Sequence, residues 1–251
     1  MKKLLYIVMA VYFCTALVPK YVFAFPAATQ TAPREIATVE TETKQGKADY
    51  FEYQLNIPVF KGLTNQDFQK KLNAYYKTRI MTFKNKLNKE AKKYYESATQ
   101  NGWTVHPYIA NADYKITYNK SPLLSLYVNY YQYTGGAHGM YEWKANTFDT
   151  SLAKELMLDD LFKKDSNYKD IIRVEIARQI EQDKDNYFPD AVEQVNKTNE
   201  FTFFLEPEHL IVYFPLYSIA PYSSGISQFR IPYTLLKEEM KPKYRQNLID
   251  N

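Results

Sequence analysis

A single cysteine, three histidines and seven glycines among 251 residues narrow what this chain can do before any pattern is considered. Cys14 lies in the apolar run at the N-terminus, so the rest of the chain has no disulfide and no thiol chemistry. His106, His138 and His209 stand far apart, and no HxH, HExxH or Cys/His cluster accompanies them, so neither a metal nor any other cofactor is expected. Charge of one sign is scarce too. The formal +4 falls to +1 once Lys2, Lys3 and Lys20 leave with the N-terminal leader, which excludes a strong field and argues against nucleic acid or an anionic membrane as partner. The apolar run over 4–18 is too short to span a bilayer. With its basic head and the Val-Phe-Ala ending at Ala24, it reads as a signal peptide over residues 1–24, followed by a small, Pro-containing linker over 25–35. The expected location is secreted or extracytoplasmic, at the cell envelope, with no membrane insertion after cleavage.

Aromatics fill the space these absences leave. With 24 tyrosines and 15 phenylalanines, rings form the bulk of the core. Apolar and polar residues alternate over 36–60, giving two strands that end at Pro58 and Gly62. Thr64 followed by Asp67, with Leu63 and Phe68 placed as a staple, predicts a helix start. The stripe Phe68, Leu72, Tyr75, Tyr76, Ile80, Phe83, Leu87, Ala91 and Tyr94 carries that helix to Asn101-Gly102. The lysines between these positions, Lys86 among them, read as its solvated face. Period two returns over 103–150 as an antiparallel meander. A second amphipathic helix follows on Tyr168, Ile171, Ile172, Ile176 and Ile180, then a hairpin around Glu206-Pro207 and a last strand over 226–231. The expected fold class is α+β: antiparallel sheets on one long and one shorter amphipathic helix, in two small sheet-and-helix units, 36–138 and 139–251.

Three of the seven glycines, Gly135, Gly136 and Gly139, fall within TGGAHG, so this segment reads as a demanding turn between two aromatic strands. His138 sits in it, either as a metal ligand or general base or as a ring that merely ties the turn through hydrogen bonds. The segment PLYSIAPYSSG reads as an ordered loop with Tyr217, Ile219 and Tyr222 at its surface. The candidate binding residues are Tyr133, Gly135, Gly136, His138, Gly139, Tyr141, Tyr217, Ile219 and Tyr222. Asp159-Asp160 lacks a third acid at a recognised spacing, and Glu206 and Glu208 read as solvated turn residues. No catalytic constellation emerges.

YTGGAHG with the residues after it, and IAPYSSG with those around it, resemble the paired extracytoplasmic domains of RsiV, the anti-sigma-V factor. The same pair, or its first member, precedes the catalytic domain of PdaC-type peptidoglycan deacetylases. The resemblance covers roughly residues 36 to 240. With no segment ahead of the leader to hold a sigma factor and none after Asn251 to form a deacetylase domain, it implies a free-standing, non-catalytic module. Such a module would recognise lysozyme-like muramidases or cell-wall polysaccharide. The alternative is a hydrolase or deacetylase-type enzyme of wall glycan that uses His138.

Overall fold

The computed structural model describes residues 37–250. The leader and the linker lie outside them, and no helix among the described residues is long and apolar enough to cross a membrane. Strands β1 (Thr38–Ala48) and β2 (Phe51–Lys61) form a hairpin in full antiparallel register. Pro58 stands inside β2 opposite Thr41, beyond the stretch 51–55 where β2 has a second neighbour, so its missing amide proton disturbs only one ladder.

Helix α1 (Gln66–Gln100) starts one residue later than the Thr64 cap expected from sequence. The Asn65 side chain accepts from the Phe68 amide at 2.9 Å and is the N-cap. At about 1.5 Å per residue its 35 residues extend roughly 50 Å. Its length returns the chain to the other end of β2, so β3 (Tyr108–Lys120) pairs parallel to β2. Strands β4 (Leu123–Tyr133), β5 (Met140–Asp149) and β6 (Lys154–Leu156) complete a six-stranded sheet in sequence order, antiparallel from β3 onward. The border expected at 138/139 falls inside the hairpin joining β4 to β5, and the sheet runs through it unbroken.

Alternation assigns the two faces. Leu124, Leu126, Val128 and Phe148 join Leu55 and Ile57 in one core with Leu72, Tyr76 and Ile80 of α1. On the other face Tyr127, Tyr141, Trp143 and Ala145 pack against Phe204, Ile211, Tyr213 and Ile226. These belong to a second, three-stranded antiparallel sheet, β7 (Thr202–Leu205), β8 (His209–Phe214) and β9 (Ser227–Pro232), and to the loop before β9. The outer face of that sheet, with Phe203, Leu205, Leu210, Val212 and Phe229, packs with Ile172, Ile176 and Ile180 of α2 (Tyr168–Gln182). The fold is therefore α+β, a helix–sheet–sheet–helix stack. Helices α3 (Ala191–Lys197), α4 (Tyr233–Leu236) and α5 (Pro242–Leu248) complete the chain.

A fully buried polar contact crosses between the sheets. Ser125 Oγ accepts from the Leu205 amide at 3.0 Å and lies 2.8 Å from the Thr147 hydroxyl, with Ser125 and Thr147 both buried. Ser125→Ala strands a buried amide, so unfolding in urea is expected to show a loss of about 1–3 kcal/mol. Ser125→Cys is not expected to restore it, because a thiol is a weak acceptor.

Candidate functional site

The turn between β4 and β5 reverses through Gly135 and Gly136, both at φ +96°, where side chains are rarely found. Gly139 lies close against the Tyr131 ring: a Cβ there would lie 2.4 Å from it, so the ring would have to shift. The Tyr133 hydroxyl donates to the Gly136 carbonyl at 3.0 Å and closes the turn. The PLYSIAPYSSG loop arrives at the same point. The Tyr222 hydroxyl donates to the Gly139 carbonyl at 2.8 Å, and its ring stacks on His138 with centroids 4.0 Å apart. The Tyr141 and Tyr217 rings stand 6.2 and 5.8 Å from Tyr222. Two segments 83 residues apart thus make one cluster. Desolvation, then the neighbouring Tyr141, Tyr131 and Tyr217, raise the Tyr222 phenol above its ordinary value, so it stays a donor at neutral pH.

His138 is exposed, with Nδ1 3.1 Å from the Gly139 carbonyl. A carbonyl only accepts, so Nδ1 carries the proton of this contact, and Nε2 of the neutral ring is left as the basic nitrogen. Ile219 is not at the surface as expected: it is 1% exposed and belongs to the core beneath the loop. Pro221 and Tyr222 turn the chain outward while Ile219 anchors it inward, an arrangement residue type alone does not reveal. The other two histidines are elsewhere, His106 exposed on the loop before β3 and His209 beside Arg230. Among the described residues no group of three or more His, Cys, Asp or Glu side chains is placed to hold a metal. Asp159 and Asp160 diverge, one to Lys169 and the other to Lys154 and the Met157 amide, while Glu206 pairs with Arg230.

A second feature runs along the other face of the same hairpin. Alternation in MYEWK points Met140, Glu142 and Lys144 toward α1, and with Tyr130 and Gln132 they form one wall of a groove of about 580 Å³. Arg79, Thr82, Phe83, Lys86 and Glu90 of α1 form the other. The Phe83 and Tyr130 rings meet edge to face at 5.0 Å on its floor. The Tyr130 phenol is pushed up to about 12, burial outweighing the Arg79 guanidinium beside it. A volume of this size with rings below and hydroxyl, amide and charged groups around it suits a small polar ligand with apolar faces. The sequence reading missed it, because α1's lysines looked merely solvated. The signal was the period-two pattern after Gly139, which separates Met140, Glu142 and Lys144 from Tyr141 and Trp143.

Residues 44–141 match the family model "Deacetylase PdaC", and residues 159–234 match "Protein of unknown function (DUF3298)". The chain is similar to the peptidoglycan-N-acetylmuramic acid deacetylase PdaC of Bacillus subtilis, at 28% identity over 84% of this chain. It spans 42% of that relative's length. Two solved structures share the fold. A DUF3298 family member from Bacteroides fragilis is 19% identical with a TM-score of 0.63, covering 86% of this chain and all of that one. Another from Pseudomonas aeruginosa is 21% identical with a TM-score of 0.53, covering 84% and 95%. These findings support a PdaC-like two-domain arrangement. They also correct the expectation of a non-catalytic binding module, since the family model and the curated relative both carry the name of a deacetylase.

Proposed function

We propose that this protein acts on cell-wall glycan in a deacetylase-type reaction, with His138 at the turn of the β4–β5 hairpin as general base and the groove between α1 and the other face of that hairpin holding sugar units next to the one that reacts. One observation carries the reading. The stretch that matches the deacetylase model, 44–141, contains His138 and every groove-lining residue except Glu142 and Lys144. The relative's action on peptidoglycan supports an extracytoplasmic location, and the predicted leader over 1–24 agrees with it.

Removal of an N-acetyl group adds water across an amide. The C–N bond breaks, a C–O bond forms, acetate leaves, and the proton taken from water ends on the departing amine. Nε2 of His138 is the nitrogen free to take that proton, because the Gly139 carbonyl holds Nδ1 and the Tyr222 ring fixes the plane. Acetate release from purified peptidoglycan and from soluble N-acetylated glycan oligomers tests the proposal. Wild type is expected to release acetate, and His138→Ala or His138→Gln to lower kcat by about 10²-fold or more. Arg79→Ala is expected to act mainly on KM, as a groove residue. A wild-type chain that releases no acetate from either substrate overturns the reading.

A further inference from the structure

We infer that the groove continues past the Glu90 end into a second, aromatic subsite, Trp103 with Tyr94 and Tyr108, which holds a further pyranose ring of the same glycan. The inference rests on the reading above and deepens it: the substrate becomes a polymer lying along α1 rather than a disaccharide seated in the groove. Trp103 has 61% of its surface exposed, an unusual position for the largest apolar side chain. Its backbone is nonetheless fixed. Gly102, at φ +67°, ends α1 with its amide on the Thr99 carbonyl, and the Trp103 amide bonds the Ala98 carbonyl at 2.9 Å. Four residues past Glu90 on α1, the Tyr94 ring stacks with Tyr108, centroids 5.4 Å apart and planes 22° apart. The Tyr94 hydroxyl donates to the Thr104 carbonyl at 3.2 Å, which holds the loop that follows Trp103. The Tyr108 amide is tied to the Tyr50 carbonyl at 2.9 Å.

Continuity with the groove identifies the occupant. Phe83 and Leu87, which line the groove, share one apolar cluster with Tyr108. Glu90, also in the lining, stands four residues before Tyr94 and so on the same helical face. Ring faces edged by phenol hydroxyls match a sugar, whose C–H face is apolar and whose rim is polar. Tyr94 stands on α1 and Tyr108 opens β3, and the Trp103 backbone is tied to the end of α1, so a bound chain would order little of the protein.

Calorimetry on the full chain with N-acetylated glycan oligomers from the disaccharide to the octasaccharide tests this. Wild-type affinity is expected to rise with length, by about three- to tenfold once the distal ring is occupied. Trp103→Ala is expected to bind the octasaccharide no more tightly than wild type binds the disaccharide, and Trp103→Phe to recover most of the gain. Length-independent binding that Trp103→Ala leaves untouched overturns the distal subsite while leaving the deacetylase reading in place. No binding of any oligomer, together with no acetate release, removes both. Trp103-dependent self-association without a length effect reassigns the rings to contact between two copies.

Discussion

Replacing Asp149 with alanine is expected to lower the melting temperature by on the order of 10 °C, equivalent to about 3 kcal/mol in a domain of this size. Asp149 ends β5 with no solvent exposure. One carboxylate oxygen accepts from the Ser151 amide, the Ser151 hydroxyl and the Leu152 amide at 3.0, 2.6 and 3.1 Å. The other takes the Lys243 ammonium and the Tyr244 hydroxyl, which attach α5 to the sheet. Alanine strands these donors, although Lys243, partly exposed, can return to water, which keeps the cost at the low end of what breaking a buried pair incurs.

The same site predicts an acid transition. Burial alone would push the Asp149 carboxyl up, but hydrogen bonds from Lys243, Ser151 and Leu152 and the Lys243 charge outweigh it and hold the group below its usual range. A depressed folded-state pKa gives stability that is complete above the unfolded value of about 3.9 and is lost as pH falls through the lower folded value. Wild type is therefore expected to lose this contribution below about pH 4, while Asp149→Asn, less stable at pH 7, converges on it there. Thermal melts across pH 2–7 check both points. Parallel curves for the two proteins would mean that the carboxylate's charge contributes nothing.

Most of the architecture was legible because it rests on local signals. The stripe from Leu72 to Ala91 buries the residues its spacing predicts, and Ile172, Ile176 and Ile180 do the same for α2. The cap was misplaced by one residue because Thr64 and Asn65 are both good caps and only the backbone path chooses between them. The parallel pairing of β2 with β3 is non-local: it depends on where a 35-residue helix delivers the chain, which no window of sequence contains. At the candidate site, the two loops were recognisable by their glycines and prolines, yet the stacking of His138 on Tyr222 depends on how the second sheet seats against the first. The groove was hidden for the same reason. Which face of β5 meets α1 is decided by packing, and Lys86 looks alike on a solvated face and on the wall of a groove.

Trp143→Ala is expected to cost about 3 kcal/mol, the low end for losing a large aromatic, because the indole is only partly buried. The ring stacks on Tyr127 with centroids 4.1 Å apart and touches Phe204 and Tyr213 at 6.2 and 5.9 Å. The Tyr213 hydroxyl donates to the Trp143 carbonyl at 3.3 Å and accepts from the Ala145 amide at 3.2 Å, so the indole sits over the point where β8 is tied to β5. Of the rings flanking the glycine turn, Tyr130 turns to α1 while Tyr127, Tyr141 and Trp143 turn to the second sheet. Hydrogen exchange separates a local from a general loss. Amides of β8 and β9 should lose protection in Trp143→Ala at denaturant concentrations where the α1 core, built on Leu126, Tyr76 and Ile80, still holds its own. Equal loss in both layers would mean that the two sheets unfold as one unit. If neither layer changed, Trp143 would be a surface ring after all, and the seam between the sheets would be held by Phe204 and Tyr213 without it.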